Sequence, residues 1–351
     1  MADSMRRSSW HDAAAVEVFR QANRIDPDRI RRLRFAMYQL HEPPDSCVAR
    51  LGPFAELAAA SFVPQVLREV HRSVSAVDGS TKLVLETVDG RKLETVLLPA
   101  KTGRMTVCVS SQIGCAANCP FCATAKMGLQ RNLTDAEMLD QVLLAARIAR
   151  ATGKRLRNVV FMGMGEPLDN ESQLHSALDR LLDAHYFALP ARRITVSTVG
   201  VPDTMCRLLD RYPGIGLAVS LHSAVPELRT KLVPWSRRWD WETFRESLAE
   251  VARQHQSGKQ GSLMIEHILI AGVNDRISDA WALVDFLRDI PAQVNLIPYN
   301  SVPHIRDWQA TSRPDRDAFA KILRGAGIFT TIRCSLGDDV HAACGQLALQ
   351  T

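Results

Sequence analysis

Three thiols within eight residues, Cys115, Cys119 and Cys122, are spaced C-x3-C-x2-C. Thiolates are soft ligands that suit iron, and three of them can each hold one corner of an iron–sulfur cube. The fourth iron then lacks a protein ligand, so it can bind a small molecule and pass an electron to it. The alternative is a zinc knuckle, which needs four protein ligands and usually pairs two C-x-x-C units. No His or Cys follows Cys122 until His175, which favours the cluster.

A chain of 351 residues suits one main domain with a smaller companion. Its net charge of +5 permits an anionic partner such as RNA without requiring one. Eight cysteines raise the question of an extracellular disulfide framework. Met1 to Arg20 is polar and has no apolar signal core, so a reducing cytoplasmic setting with metal-binding and redox thiols is expected. No apolar run of about eighteen residues marks a membrane span.

The elements that must position the thiols follow from periodicity. Residues 11–40 have a helical pattern, with Asp26-Pro27 placing a cap before a first-turn proline. Arg29, Arg31, Arg32 and Arg34 on that stretch form either a solvated face or an approach surface for RNA. A further helical run extends to about residue 71, giving a small helical N-terminal domain over 1–75. From Ser73 the period becomes two, and Asp78-Gly79 and Asp89-Gly90 punctuate it as hairpin turns. An antiparallel meander is therefore expected over about 76–100.

Beyond it, strand patterns at 104–109, 158–162, 193–197, 215–220, 263–269, 292–297 and 328–333 alternate with helical ones. The helices fall at 135–151, 171–185, 240–255, 277–289 and 314–325, the first opened by a Thr134–Glu137 capping box. This alternation predicts a parallel α/β fold, either a partial barrel or a doubly wound sheet. In such folds ligands sit at the carboxyl ends of the strands. There the sequence places Gly163-Met164-Gly165-Glu166-Pro167, Ser197-Thr198, Ser220-Leu221-His222 and Pro298-Tyr299-Asn300. Glycines let a ligand approach the backbone, and Glu166 can accept hydrogen bonds from an amino group. Arg131, Arg192-Arg193 and Arg237-Arg238 are candidate phosphate contacts.

The C-x3-C-x2-C spacing resembles that of the radical S-adenosylmethionine superfamily. Two further stretches, Cys108-Val109-Ser110-Ser111-Gln112 and Gly337-Asp338-Asp339 through Ala342-Ala343-Cys344-Gly345-Gln346-Leu347, narrow the resemblance to the RlmN/Cfr family. Glu94, in Glu94-Thr95-Val96-Leu97-Leu98-Pro99, matches that family's E-T-V-x-x-P context. The resemblance covers roughly residues 75–347. It implies a (βα)6 partial barrel over about 101–335 and a methyl-carrier segment over 336–351. It also implies one 4Fe-4S cluster on Cys115, Cys119 and Cys122. S-adenosylmethionine, two molecules per turnover, would be held by Gly165, Glu166, Ser197, Ser220, Leu221, His222 and Asn300.

The implied reaction is methylation of an adenosine ring carbon in 23S rRNA and also tRNA. Carbons 2 and 8 of adenine are poor nucleophiles, so polar attack on a sulfonium methyl is closed to them. In the family's mechanism Cys344 is methylated, a 5′-deoxyadenosyl radical removes hydrogen from that methyl, and the methylene radical adds to the ring. Glu94 would take the ring proton and Cys108 would release the product by forming a disulfide with Cys344. The implied partners are RNA and an electron donor such as flavodoxin or ferredoxin, with the protein a monomer. Carbon 2 is the leading target. The Ala123–Leu129 loop leaves a Cfr-like carbon 8 open, and a radical enzyme on a small molecule or a non-catalytic iron–sulfur protein are further alternatives. Cys334 is an extra thiol, expected to be structural. Members often continue into a basic extension, so with the chain ending at Thr351 one RNA contact is expected to be lacking.

Overall fold

The computed structural model describes residues 7–257, 263–302, 305 and 307–349. Ten strands form one sheet whose spatial order is the chain order: β1 Leu67–Val74, β2 Thr81–Thr87, β3 Lys92–Pro99, β4 Arg104–Cys108, β5 Arg155–Phe161, β6 Ile194–Thr198, β7 Gly216–Ser220, β8 Leu263–Leu269, β9 Ala292–Pro298 and β10 Thr330–Ile332. β1 to β4 pair antiparallel, and β4 to β10 pair parallel. One long helix crosses over between each parallel pair: α1 Asp135–Ala151, α2 Glu171–Leu182, α3 Pro202–Arg211, α4 Trp241–Ser257, α5 Ile277–Phe286 and α6 Arg313–Gly325. The expected α/β alternation is present, and it includes α3, which the sequence reading passed over.

Parallel strands covered by helices are buried on both faces, which explains why Leu217, Ala218 and Val219 in succession are inaccessible. Val96, Cys108, Phe161, Ser197, Ser220, Glu266 and Ile297, from the seven consecutive strands β3 to β9, line a single cavity. The sheet therefore curls around that cavity as an open barrel. Of the two architectures left open by periodicity, this is the partial barrel.

Local signals act where they were expected. Thr134 accepts from the Glu137 amide while Glu137 accepts from the Thr134 amide, starting α1. Gly79 and Gly90 take positive φ at the two hairpin turns, as Asp-Gly turns require. The helical run expected to about residue 71 instead ends at Ser61, and Leu67–Val74 is the sheet's edge strand. Its exposed Arg68, His71 and Arg72 and a register shift at Glu69/His71 blunt that edge against further pairing.

The N-terminal helices Ala13–Ala22, Pro27–Arg34, Pro44–Ala49 and Ala55–Ser61 rest on α1 through one buried carboxylate. Asp140 accepts from the Val66 and Leu67 amides at 2.5 and 3.0 Å and meets His11 Nε2 at 2.7 Å. The basic helix face offered as an RNA approach is largely occupied. Arg31 and Arg32 pair with Asp28, Arg29 donates to the Leu51 carbonyl, and Arg34 lies over the Tyr186 ring. Replacing Asp140 by Ala strands two amides and an imidazole in the interior. Asp140→Ala is expected to cost roughly 3–5 kcal/mol in denaturant unfolding, whereas Asp28→Ala on the surface should cost less than about 1 kcal/mol.

Candidate active site

The cavity encloses about 220 Å³ at the carboxyl ends of the parallel strands. Cys115, Cys119 and Cys122 line one wall, on the loop between β4 and α1. Asn118 turns this loop with φ 54°, and the Cys122 amide donates to the Cys119 carbonyl at 3.1 Å. Burial pushes the Cys115 thiol up to about 12 and the Cys119 thiol well above its usual value. Loading a metal here must therefore expel protons, which a strongly bound iron does readily. Among the described residues no three His, Cys, Asp or Glu side chains are grouped to hold one metal ion. A cube places each thiolate on a different iron, so three thiols spread over one wall are the donor set it needs.

The opposite wall is the glycine-rich turn after β5. A Cβ on Gly163 would lie 2.8 Å from the Ser110 amide nitrogen, and one on Gly165 2.4 Å from Gln112 Cβ. Gly165 also holds φ 98°, so both positions exclude side chains. Gln112 fastens the turn by accepting from the Glu166 amide at 2.8 Å. Glu166 itself is buried, and its two carboxylate oxygens accept from the Leu168 and Val199 amides at 3.0 and 2.8 Å. Burial raises its pKa to about 7 against those hydrogen bonds.

Ser197, Ser220, His222 and Asn300 join Gly165 and Glu166 in the lining. His222 has φ 57°, and its Nδ1 accepts from the Ile268 amide at 3.1 Å. Burial lowers its pKa, so the ring is neutral and Nε2 carries the proton. Leu221 is buried and does not line the cavity; its carbonyl accepts from Arg229. Asn300, also expected as a ligand contact, is hydrogen-bonded within the chain. Its Nδ2 donates to the Cys344 carbonyl at 3.0 Å and its Oδ1 accepts from Ser335 at 2.5 Å.

Cys108 on β4 and Cys344 near the end of the chain also line the cavity. Burial, and then the neighbouring Cys344, raise the Cys108 thiol to about 12. Cys344 opens onto the cavity, and Gly345 beside it accepts from the Ala123 amide at 2.7 Å on the cysteine loop. All eight cysteines are free. Cys334, expected to be structural, is exposed and lines the cavity two residues beyond the end of β10.

Glu94 lies beneath the C-terminal segment and is absent from the cavity lining. It is fully buried on β3, 3.1 Å from Lys82 Nζ, and accepts from the Leu349 amide at 3.1 Å. Arg131, offered as a phosphate contact, is answered by Asp89 and Glu137. Among the lining residues outside the expected site set are two charged ones, Glu266 within β8 and Arg333 after β10, which approach to 3.8 Å. Their only sequence signal is a charge in or beside an otherwise apolar strand.

Fold and thiol wall together define a radical S-adenosylmethionine protein, and the superfamily's model matches residues 109–287. The chain is 43% identical over 347 residues to a probable RNA methyltransferase of Rhodopirellula baltica, covering 99% of this chain and 88% of that one. It is 42% identical over 270 residues to the dual-specificity RNA methyltransferase RlmN of Magnetococcus marinus, covering 77% and 74%. A radical SAM methyltransferase structure from Sphaerobacter thermophilus superposes with a TM-score of 0.90 at 37% identity, covering 98% and 100%. The chain belongs to the RlmN/Cfr family within this superfamily, whose members use S-adenosylmethionine and an iron–sulfur cluster.

Two outcomes follow from the glycine-rich wall. Gly165→Ala is expected to weaken S-adenosylmethionine binding at least about 10-fold in equilibrium dialysis, because the turn must move off Gln112. Glu166 binds its proton more tightly folded than unfolded. Its contribution therefore favours folding below its ordinary value of 4.5 and is lost as pH rises towards about 7. Glu166→Gln should flatten that part of the stability–pH curve measured by denaturant unfolding.

Proposed function

We propose that the protein is an RNA methyltransferase that methylates a ring carbon of adenosine, carbon 2, in 23S rRNA and also tRNA. The observation that carries this reading is the meeting of Cys108 and Cys344, far apart in sequence, in the cavity walled by Cys115, Cys119 and Cys122. The relatives named as RNA methyltransferases support the substrate class. Free thiols facing an iron–sulfur wall have no use in a protein that only stores a cluster.

The cluster and S-adenosylmethionine, when bound, supply one-electron chemistry able to activate an inert methyl group. Cys115, Cys119 and Cys122 would hold the cluster. The turn Gly163–Pro167, with Ser197, Ser220 and His222, would hold S-adenosylmethionine. Cys344 carries the methyl group, and Asn300 and Ala123 fix its backbone on either side so that the sulfur faces the cavity. Burial among apolar walls keeps water from competing for the reactive carbon.

Once Cys344 is joined through its methylene to the ring, release requires two events on this chain. A carboxylate takes the ring proton, and Glu94, which lies outside the cavity lining, serves once the C-terminal segment that covers it moves aside and frees it from the Leu349 amide. Cys108, deprotonated, attacks the Cys344 sulfur. The new S–S bond forms as the carbon–sulfur bond breaks, and the released pair on the methylene carbon takes up a proton from solvent to complete the methyl group. The high pKa of Cys108 keeps it a thiol until that step.

Protein purified without oxygen is expected to carry a methyl mass on the Cys344 peptide, and Cys344→Ala should abolish both mark and product. Cys108→Ala should keep the mark and accumulate a covalent protein–RNA adduct. An unmodified Cys344 in cluster-loaded protein, or full turnover by Cys108→Ala, would overturn the reading in favour of a small-molecule radical enzyme. Mass spectrometry of digested RNA then distinguishes 2-methyladenosine, the expected product, from 8-methyladenosine.

A further inference from the structure

One-electron chemistry at the thiol wall consumes an electron that must come from outside the chain. The segment after β7 lies directly behind that wall. It forms a short helix, Pro226–Leu232, and a tight turn, Pro234–Arg238, before α4 begins. On its inner side Leu232, Val233 and Trp235 pack with Ala117, Cys119 and Phe121 of the cysteine loop in a small apolar core separate from the main one. Arg229 on the same helix is buried, and its charge reaches Cys119.

The outer side carries Lys231, Arg237 and Arg238, all exposed. Among the described residues none of the three has a carboxylate partner. Arg238 rests over the Trp235 ring, 4.2 Å from its centroid. Several other exposed arginines are answered, Arg31 and Arg32 by Asp28, Arg68 by Glu86, Arg207 by Glu171 and Arg211 by Asp179, whereas Arg24, Arg104, Arg155 and Arg313 are not, among the described residues, and lie away from the cysteine-loop core. Three unanswered cations on one short segment fit an anionic partner.

RNA and an acidic protein both meet that charge requirement, and position separates them. A substrate base has to enter the cavity, yet no residue of 226–241 lines it. An electron donor needs only proximity to the cluster ligands, and Trp235 bridges Arg238 to the core that contains Cys119. The tryptophan is itself buried and so offers no open face for a base to stack on.

We propose that Lys231, Arg237 and Arg238 dock an acidic redox protein that delivers one electron to the cluster through the Trp235 side of the cysteine loop. The proposal rests on Cys115, Cys119 and Cys122 holding an iron–sulfur cluster. Each encounter oxidises the donor by one electron and reduces the cluster by one, with no bond made or broken. Exposed charges act chiefly by steering the encounter, so the effect falls on association rate and fades with salt.

The test uses the full chain with its cluster loaded and reduced flavodoxin as the donor. Cluster reduction is followed by stopped-flow absorbance, and the reduced cluster is identified by electron paramagnetic resonance. Lys231→Glu/Arg237→Glu/Arg238→Glu is expected to slow reduction by flavodoxin at least about 10-fold at low salt. Dithionite, a small reductant, should reduce variant and wild type alike, which also shows that the variant folds and holds its cluster. Arg237→Gln/Arg238→Gln should fall between, and Arg31→Glu/Arg32→Glu should match wild type. Equal flavodoxin rates in wild type and the triple variant would overturn the proposal. So would loss of 23S rRNA-fragment or tRNA binding with flavodoxin reduction intact, which would assign the face to RNA. A wild-type protein that holds no dithionite-reducible cluster would instead overturn the cluster reading beneath it.

Discussion

The C-terminal segment is tied down from two sides, and the site depends on that tie. Asp78 accepts from the Gly337 amide and Asp339 from the Ala76 amide, fastening the segment to the first hairpin turn. Thr124 donates to the Leu347 carbonyl and Ala123 to the Gly345 carbonyl, fastening it to the cysteine loop. Cys344 sits between these anchors. Each bond is individually worth about 1 kcal/mol, but together they stretch a segment without a long helix or strand across the barrel mouth. Without them the Cys344 thiol would have no fixed distance from Cys115, Cys119 and Cys122.

The meander before the barrel has its purpose in this arrangement. As an isolated hairpin it would be marginal in water; joined to β4 it becomes the sheet edge on which the C-terminal segment rests. The buried Lys82–Glu94 pair lies at that junction, with Lys82 reaching the His341 carbonyl at 3.5 Å and Glu94 the Leu349 amide. Taking two charges out of water is costly unless each finds further partners. Here those partners are backbone groups of the C-terminal segment, so closing the segment satisfies the pair.

The cavity combines a rigid and a movable half. Gly163 and Gly165 are wedged against Ser110 and Gln112, just past β4, with no room for a Cβ, so that turn is preformed. The Cys344 side is held by hydrogen bonds to single groups such as Asn300, which can exchange. The role proposed for Cys344 requires it to reach first a methyl donor and then an RNA base, and exchangeable bonds allow that travel.

Much of this was legible in the residues alone. Ligand spacing is local, so C-x3-C-x2-C announces itself without a fold. Capping at Thr134 and the Asp-Gly turns are equally local, as hydrogen bonds over three or four residues must be. The parallel α/β alternation follows from periodicity, although α3 and the start of the edge strand, Leu67 to His71, do not, because short mixed stretches carry little period. Only the tertiary structure could decide what long-range partners decide. Glu94 has the look of a solvated hairpin side chain until Lys82 and Leu349 enclose it. Asn300 stands at a strand end like a ligand contact, yet its amide holds Cys344. Arg131 is neutralised by Asp89 across the cysteine loop, while Arg237 and Arg238 remain unanswered. Residue type sets what a side chain is able to do. Burial and partners, which come from distant parts of the chain, set which of those things it does.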